Sequence, residues 1–434
     1  MLGEIQEVAR LELTPSIFTY FIVFSVVVGG MAGFFPAVFL SKLQAVKVLK
    51  DAGSTAIFKK INMRKVLIVV QFTLSLVFII SATIAYRQYN FALAFDLGFK
   101  TENVLNVRLQ NNDVNKVVAA FSTIPEISGI SKSLMIPSVG SKYGDRIKYI
   151  DPLDSATIFY NNIDENYIPL LNHELIAGSN FESRPEQETE ESIILNETAL
   201  KRFNIGTPEQ AIDKSITLGS GAGNKIRIRG VVKDFHYAQL KDEIESFGFR
   251  YNPSRYEYVN LKIKSTDVVA TMDKLEKAWQ ELDNVHEFSA TFYDERIERA
   301  YASYSVLFRI IGFLAFLTIS IAAMGLLGMA VYTAETRLKE ISIRKVLGAS
   351  QGNLTKLLAK GFMWLLIISA AIAVPATYFI FDSVVLADTV NKQTIGALEL
   401  LSGVILIFTI GFLTIGSQTW KAARSNPADT LRSE

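Results

Sequence analysis

The chain has 434 residues, half of them apolar, and its 44 Lys and Arg nearly balance 43 Asp and Glu, giving a formal net charge of +1. This apolar share indicates a bilayer as the main solvent of the chain. The near-neutral charge argues against nucleic acid as a partner, because a phosphate-binding face needs a clustered excess of Lys and Arg.

Cysteine is absent, which excludes disulfides, thiolate metal sites and a Cys nucleophile. The three histidines, His173, His236 and His286, are far apart in the sequence. A zinc site needs its ligands gathered at one point, so these residues predict no metal site or catalytic set unless the fold collects them. We expect no cofactor.

Five apolar runs reach the length of about 20 residues that a helix needs to cross the hydrocarbon layer. They are Ser16 to Leu40, Val66 to Tyr86, Tyr304 to Tyr332, Lys360 to Phe381, and Thr394 to Gln418. Buried helices of a large soluble protein are the alternative, but these are rarely so long or so free of charge. The predicted fold is a membrane α-helical bundle of five transmembrane helices with an inserted α+β extracytoplasmic domain.

Orientation follows from the links between the runs. Basic residues cluster after the first run, after the third run and in the C-terminal tail, for example Lys47, Arg344 and Arg424. Basic clusters beside membrane helices usually mark cytoplasmic loops, and they mark lipid-binding or nucleic-acid-binding patches far less often. We therefore expect these links to lie inside. The link that carries Asp382 and Asp388 then lies outside.

The stretch from about Asn90 to Ser303 is polar enough to fold in water and lies outside in this topology. Four segments have the pattern of β-strands: Val104 to Leu109, Ile193 to Leu195, Ile226 to Val232, and Tyr256 to Ile263. Three have the pattern of helices: Val114 to Phe121, Thr198 to Phe203, and Val268 to Leu282. Gly219, Gly221 and Gly223 predict a hairpin turn and no phosphate loop, since no Lys follows the last Gly.

The amino terminus lies outside in this topology but has no basic leader or cleavage site, so we expect earlier helices to be missing. Segments Ser41 to Lys50 and Ala423 to Arg432 both follow an apolar run and end in Leu plus a base. Either the first run ends an earlier copy of the unit that the last run also ends, or the two exits are alike by chance.

The most informative segment, which we call the elbow, comprises residues 335–350 on the cytoplasmic side of the third run. Glu335 with Lys339 and Glu340 with Arg344 have the i,i+4 spacing of stabilising helical ion pairs. Gly348 can end this helix, and Ser350 can cap the next one. The residues expected to contact a partner are Glu335, Arg337, Lys339, Glu340, Ile343, Arg344, Lys345, Leu347 and Gly348, with Ile343, Val346 and Leu347 as an apolar stripe. An interfacial amphipathic helix without a docking role is the alternative.

Residues Arg337 to Ala349 resemble the R-x-K-E-I-x-I-R-K-x-L-G-A motif of FtsX-like permease domains, with Ser342 in place of the usual Gly. In that family the elbow contacts the ATPase. Asn196 to Ala199 and Val232 to His236 resemble the N-E-T-A and V-x-D-F-H stretches of the MacB-like periplasmic core domain. The resemblance implies structural roles for Asp234 and His236.

This resemblance implies four segments. They are 1–60, the last helix of a preceding unit with a cytoplasmic linker; 61–95, a membrane helix and stalk; 96–295, the MacB-like core domain; and 296–434, the FtsX-like permease domain with three helices and the elbow. The chain would be a non-enzymatic permease subunit of the mechanotransmission type in the bacterial inner membrane, which couples a separate ABC ATPase to export or extraction of an amphiphilic substrate.

The implied partners are the ATPase, the lipid bilayer, a second permease unit in a dimer or pseudo-dimer, and possible periplasmic adaptor and outer-membrane channel proteins. One alternative is an FtsX-like regulator of an extracytoplasmic cell-wall hydrolase. Another is a ligand sensor, although the tail after Trp420 is too short for a cytoplasmic output domain.

Small residues predict where helices pack closely. Gly29 and Gly33 form a G-x-x-x-G face, and Gly325 with Gly328 forms a second small-residue patch. Such patterns also arise by chance.

Overall fold

A computed structural model of the chain describes residues 14–41, 63–151, 153–183, 190–219 and 223–424. Contacts divide the chain into two units. The membrane unit contains the described residues of 1–86, 303–385 and 395–434, and the outer domain contains those of 87–302 and 386–394. The short link 386–394 therefore belongs to the outer domain by its contacts.

The helices of the described chain are α1 Pro15–Ser41, α2 Met63–Leu93, α3 Val114–Ser122, α4 Tyr167–Leu170, α5 Glu197–Arg202, α6 Pro208–Ala211, α7 Val268–Leu282, α8 Tyr293–Ala300, α9 Ala302–Thr336, α10 Leu338–Val346, α11 Gln351–Ile380 and α12 Ala397–Arg424. The strands are β1 Val104–Arg108, β2 Ile127–Ser133, β3 Tyr143–Lys148, β4 Ser155–Asn162, β5 Leu175–Gly178, β6 Ser192–Asn196, β7 Ser215–Leu218, β8 Asn224–Val232, β9 Phe247–Arg250, β10 Tyr258–Ile263 and β11 Ala290–Phe292. A π-helical turn, Phe381–Val385, follows α11.

Four helices among the described residues are long and apolar enough to cross a membrane. Their spans are Lys65–Leu93, Tyr304–Thr333, Gly352–Val385 and Ala397–Ser417, which confirms the last four predicted runs, although Lys65–Leu93 ends later and Gly352–Val385 begins earlier than predicted. The first predicted run is helical as α1, but only Pro15–Gly30 qualifies as an apolar helix, and it is shorter than a full span. The predicted count of five spans is therefore not confirmed.

Close contacts in the membrane unit gather α9, α11 and α12 around α2. The ring centroids of Tyr86 and Phe308 lie 5.5 Å apart, and Ser369 on α11 donates its hydroxyl to the Val69 carbonyl of α2 at 3.1 Å. A Cβ added to Gly403 of α12 would lie 2.8 Å from the side chain of Ile80. Glycine at this position lets α12 and α2 approach closely.

The predicted packing glycines differ in their surroundings. A Cβ on Gly325 would lie 3.1 Å from the Gln71 amide oxygen, whereas no described atom would lie within 4 Å of one on Gly29 or Gly328. The side-chain surroundings of Gly33 lie outside the described part. Packing at Gly29 and Gly33 stays a prediction.

The outer domain contains two sheets. The smaller, in the order β11-β1-β10-β2, is antiparallel throughout the pairs described. Its apolar face packs on α3 and α7 through Leu105, Val107, Phe121, Leu261 and Trp279. Alternation of apolar side chains along β1 and β10 places these residues on one face, and helices cover that face.

The larger sheet has the order β5-β8-β6-β9-β4-β3-β7, and β7 also pairs with β8. This extra pairing closes β8, β6, β9, β4, β3 and β7 into a ring. β7 pairs with the first half of β8, and β5 pairs with the second half of the same edge. An apolar core of strand residues from β3, β4, β6, β7 and β8 packs with side chains of α5 and α6.

A second core of the outer domain is rich in aromatic rings. Phe235 stacks on Phe249 with centroids 5.4 Å apart, and Tyr237 lies 4.5 Å from Phe247. Phe99, from the segment that follows α2, contacts Phe235 edge-on at 6.0 Å. The chain that leaves the membrane helix is thus part of this core.

The strands and helices predicted for this region are confirmed, with ends displaced by at most three residues. The predicted hairpin is present as β7 and β8, in which Leu218 pairs with Asn224. Gly219 and Gly223 have φ of 90° and 56°, the left-handed region that glycine adopts without strain. Gly221 lies outside the described residues.

Candidate functional site

The elbow is a short helix, α10, held at a fixed bend between α9 and α11. Gly348 has φ of 89°, and the backbone N–H of Ala349 donates to the Arg344 carbonyl at 3.0 Å, as in a Schellman helix end. The Ser350 hydroxyl then accepts a hydrogen bond from the Asn353 N–H at 3.3 Å and caps α11. The predicted stop and start signals are confirmed.

Two faces of the elbow differ in burial. Ile341 and Leu354 are 3% and 2% exposed and pack together with Ala349, so they fix the angle between α10 and α11. By contrast, Val346 and Leu347 are 67% and 80% exposed. The membrane unit itself therefore leaves most of the predicted apolar stripe uncovered.

The remaining residues of the elbow carry exposed charge. Glu340 and Arg344 form the predicted ion pair at 2.8 Å, and Glu335 and Arg337 are exposed. Ile343, at 48% exposure, completes the stripe beside this pair. The side chains of Lys339 and Lys345 lie outside the described part, so the predicted pair of Glu335 with Lys339 stays a prediction.

Ser342 occupies the position at which the motif usually has Gly, and it is 2% exposed. A small side chain is required there because the position is packed. Serine meets that requirement.

The FtsX-like permease C-terminal family matches residues 312–427, a region that contains the elbow and most of α9, α11 and α12. This match confirms the resemblance that the elbow motif predicted for the C-terminal part of the chain. Together with the apolar spans, it supports a multi-pass membrane protein. No curated protein sequence matches the chain.

Several solved structures are similar to parts of this chain. The extracellular domain of the ABC-type transporter YknZ from Gram-positive bacteria is 12% identical, with a TM-score of 0.33 over 44% of this chain and 100% of that one. The periplasmic region of MacB from Actinobacillus actinomycetemcomitans is 13% identical, with a TM-score of 0.34 over 47% and 94%. A permease domain from Porphyromonas gingivalis is 11% identical, with a TM-score of 0.32 over 44% and 91%.

The two sequence motifs of the outer domain meet in the fold. The Asp234 carboxylate accepts hydrogen bonds from the Thr198 N–H and hydroxyl, both at 2.9 Å, and the Asp234 N–H donates to the Glu197 carboxylate at 3.1 Å. The Asn196 side chain caps α5 by accepting from the Ala199 N–H at 3.1 Å. These bonds fasten the start of α5 to the end of β8, which gives Asp234 a structural role.

The three histidines occupy different surroundings. His173 is buried among aromatic rings, 4.6 Å from Phe235, and burial lowers the pKa of His173 to about 3. His236 contacts the ring of Phe95 at 4.8 Å, and its pKa is lowered by burial. His286 bonds to Asp283 at 2.8 Å. Within the described residues, no group of three or more such side chains is placed to hold a metal ion.

Sequence reasoning missed a set of contacts at the outer link. Gln88 donates its side-chain amide to the Gln393 carbonyl at 2.6 Å and accepts from the Gln393 N–H at 3.0 Å. This reciprocal pair fastens the link to the outer end of α2. No local pattern signals it, because 305 residues separate the partners.

The same link also contacts the segment after the V-x-D-F-H motif. The backbone and side-chain amides of Asn391 donate to the Leu240 carbonyl at 3.2 and 3.1 Å, and the Val390 N–H donates to Lys241 at 3.4 Å. The Leu240 N–H in turn donates to the Tyr301 hydroxyl at 3.0 Å, directly ahead of α9. We call these residues the outer junction: Gln88, Leu240, Lys241, Tyr301, Val390, Asn391 and Gln393.

Proposed function

We propose that this chain is the permease subunit of a mechanotransmission ABC transporter, in which a separate ATPase drives a conformational change outside the cell. The observation that carries the proposal is the uncovered apolar face of Val346 and Leu347 on a bend fixed between two membrane spans. An apolar patch beside exposed charges is the usual composition of a protein contact surface.

The elbow would receive the movement. Its Gly348 helix end, its Ser350 cap and the packing of Ile341 on Leu354 oppose a change of angle, so a displacement of α10 would move α9 and α11 together. The ATPase must bind one position of the elbow more tightly when ATP is bound, because equal affinity for both positions would shift nothing.

The long helices would carry the movement across the bilayer. α9 has 35 residues, which at about 1.5 Å per residue is about 52 Å, longer than the hydrocarbon core of about 30 Å. It begins directly after Tyr301 of the outer junction. A displacement of the elbow would therefore reach the outer domain along one continuous helix.

The outer junction would distribute that movement. Leu240 and Lys241 accept hydrogen bonds from the link between α11 and α12, and Leu240 also bonds to Tyr301 ahead of α9. Gln88 ties the end of α2 to the same link. All four spans would thus act on one short segment, which follows directly on the V-x-D-F-H motif.

The outer domain would use the movement to export or extract an amphiphilic substrate in the bacterial inner membrane, with no chemistry in this chain. A second permease unit would complete a dimer or pseudo-dimer. A periplasmic adaptor and an outer-membrane channel are further proposed partners.

The test is Leu347→Asp, with Leu153→Asp as the matched control, since Leu153 is a 92% exposed leucine of the outer domain. Each variant is purified from membranes, and the co-purifying ATPase is identified and assayed. Leu347→Asp should reduce ATPase recovery by about tenfold or more, as loss of a central contact residue does, while membrane insertion is unchanged.

Equal ATPase recovery and equal ATP-dependent transport in both variants would refute the role of the elbow. Recovery of a cell-wall hydrolase on the outer domain, with no substrate export by the reconstituted complex, would replace transport with the regulatory alternative.

A further inference from the structure

The outer domain contains a cleft of about 380 Å³ that the proposed transmission path does not use. Its walls come from α8, from the start of β10 and from the segment that follows β2. The lining residues that matter here are Val139, Tyr143, Tyr258, Glu257 and Arg296. This volume falls in the range of about 300–1,000 Å³ typical of small-molecule sites.

Arg296 is the unusual residue of this cleft. Its Nε is buried and has no hydrogen-bond acceptor among the described residues, and its guanidinium lies 5.4 Å from the centre of the Tyr258 ring. No carboxylate of the described chain forms an ion pair with it. Burial lowers the pKa of Arg296, so desolvation of this cation is not offset by a partner.

Arg250 in the same domain is a useful comparison, because its guanidinium has carboxylate partners and that of Arg296 has none among the described residues. Like Arg296 it is only partly exposed, but it donates two hydrogen bonds to Glu190, one at 2.6 Å, and one to Asp145 at 3.0 Å. Burial alone would lower the pKa of Arg250, but the hydrogen bonds to Glu190 raise it overall. Arg296 lacks such bonds, and a desolvated cation without a partner is costly.

The missing partner is an anion of a particular shape. A guanidinium presents several N–H groups in a plane, which suits the oxygen atoms of phosphate and carboxylate. The side chains of Val139, Tyr143 and Tyr258 line the same cleft and keep exposed surface, so they would contact a hydrocarbon segment. A ligand that satisfies both parts carries an anionic group on an apolar chain.

We propose that this cleft binds the phosphate or carboxylate head group of an amphiphile, with Arg296 as the residue that recognises the charge. Arg296 lies eight residues ahead of Tyr304 in the sequence, and a membrane span begins at Tyr304. This binding requires neither the ATPase nor the elbow. It can therefore be tested separately from the proposed transport function.

The experiment titrates octyl phosphate into the full-length permease in detergent and follows binding by calorimetry. Arg296→Gln is compared with Arg299→Gln, because Arg299 also lines the cleft but is 69% exposed and pairs with Glu295 at 2.6 Å. Arg296→Gln should weaken binding by about tenfold or more, and Arg299→Gln by about twofold or less.

Additional probes separate the parts of the proposal. Octanoate should bind with the same dependence on Arg296, whereas octanol and inorganic phosphate should each bind at least about tenfold more weakly than octyl phosphate. Glu257→Gln removes a carboxylate from the cleft and should strengthen binding of octyl phosphate.

Equal losses in Arg296→Gln and Arg299→Gln, or equal binding of octanol and octyl phosphate, would overturn the role of Arg296. Inorganic phosphate binding as tightly as octyl phosphate would overturn the amphiphile as the ligand. An unfolding transition of Arg296→Gln that matches the wild type shows that lost binding is not lost folding, and Arg296→Lys, which keeps the charge, should recover part of the affinity.

Discussion

The membrane unit exposes large apolar side chains, whereas the outer domain buries them. Phe316 on α9 and Leu67 on α2 are 65% and 68% exposed, whereas Phe247 and Leu195 in the outer domain are fully buried. Bilayer-facing helices have no reason to hide apolar groups, because lipid is as apolar as the side chains. The outer domain is stabilised by burying apolar side chains away from water. The membrane unit is stabilised by close packing between its helices.

This difference is sharpest for large aromatic residues. Phe247→Ala should destabilise the outer domain by about 3–5 kcal/mol, because it leaves a cavity in the aromatic core. Phe316→Ala should change stability by about 0.5 kcal/mol, since the side chain packs on lipid. Urea unfolding, followed by hydrogen exchange of β6 and β9, measures both. Similar losses in the two variants would contradict the comparison.

The membrane unit should instead be sensitive to added volume at helix contacts. Gly403→Ala places a methyl group 2.8 Å from Ile80 and should destabilise the packing of α12 on α2 by about 1–3 kcal/mol. Gly416→Ala is the control, because no described atom lies within 4 Å of the added group. Thermal unfolding in detergent distinguishes them, and an equal effect of both would show that α12 does not pack here.

Polar contacts should matter in the outer domain where they satisfy a helix end. Asp234→Ala removes both acceptors of Thr198 and should cost about 1–3 kcal/mol. Asp154→Ala breaks an exposed pair with Arg202 and should cost at most about 1 kcal/mol. Chemical denaturation measures the free energy of unfolding of the two variants. A larger loss of stability for Asp154→Ala than for Asp234→Ala would contradict the structural role of Asp234.

Two buried ionisable groups predict opposing pH dependences. Unfolded His173 binds a proton below pH 6.5, but in the folded state burial lowers its pKa to about 3, so its effect is to reduce stability as pH falls through this range. Burial raises the pKa of Asp164 to about 7 from 3.8, so its effect is to reduce stability as pH rises through that range. Between pH 3.8 and 6.5 the two effects oppose each other.

Single variants should expose each effect. His173→Phe leaves the Asp164 dependence, so stability should fall with rising pH by about 1.4 kcal/mol per unit in that window. Asp164→Asn should leave the opposite slope of similar size. Unfolding free energies between pH 4 and 6.5 provide the measurement, with the wild type as reference; parallel curves would contradict the burial of both groups.

The sequence was informative wherever the cause was local. Apolar run length identified four spans, and the Gly348 and Ser350 signals located the bend of the elbow, because helix ends depend on adjacent residues. Period-two alternation likewise located β1 and β10. The motif that resembles FtsX-like permeases is also one continuous segment.

Features set by distant residues were not predicted. The β3–β7 pairing that completes the ring of the large sheet, the Gln88–Gln393 pair and the unpaired guanidinium of Arg296 all depend on which segments meet in the fold. A lone Gln or Arg in a sequence carries no mark of its neighbours. The predicted glycine face at Gly29 and the close contact found at Gly403 illustrate the same limit for helix packing.

The ring formed by the larger sheet has a consequence for aggregation. Unpaired strand edges invite neighbouring chains to add strands and aggregate. Closure through β7 gives six strands a partner on each side and leaves the short strand β5 as the open edge of that described sheet. The larger described sheet therefore offers neighbouring chains one short edge, β5, on which to add strands.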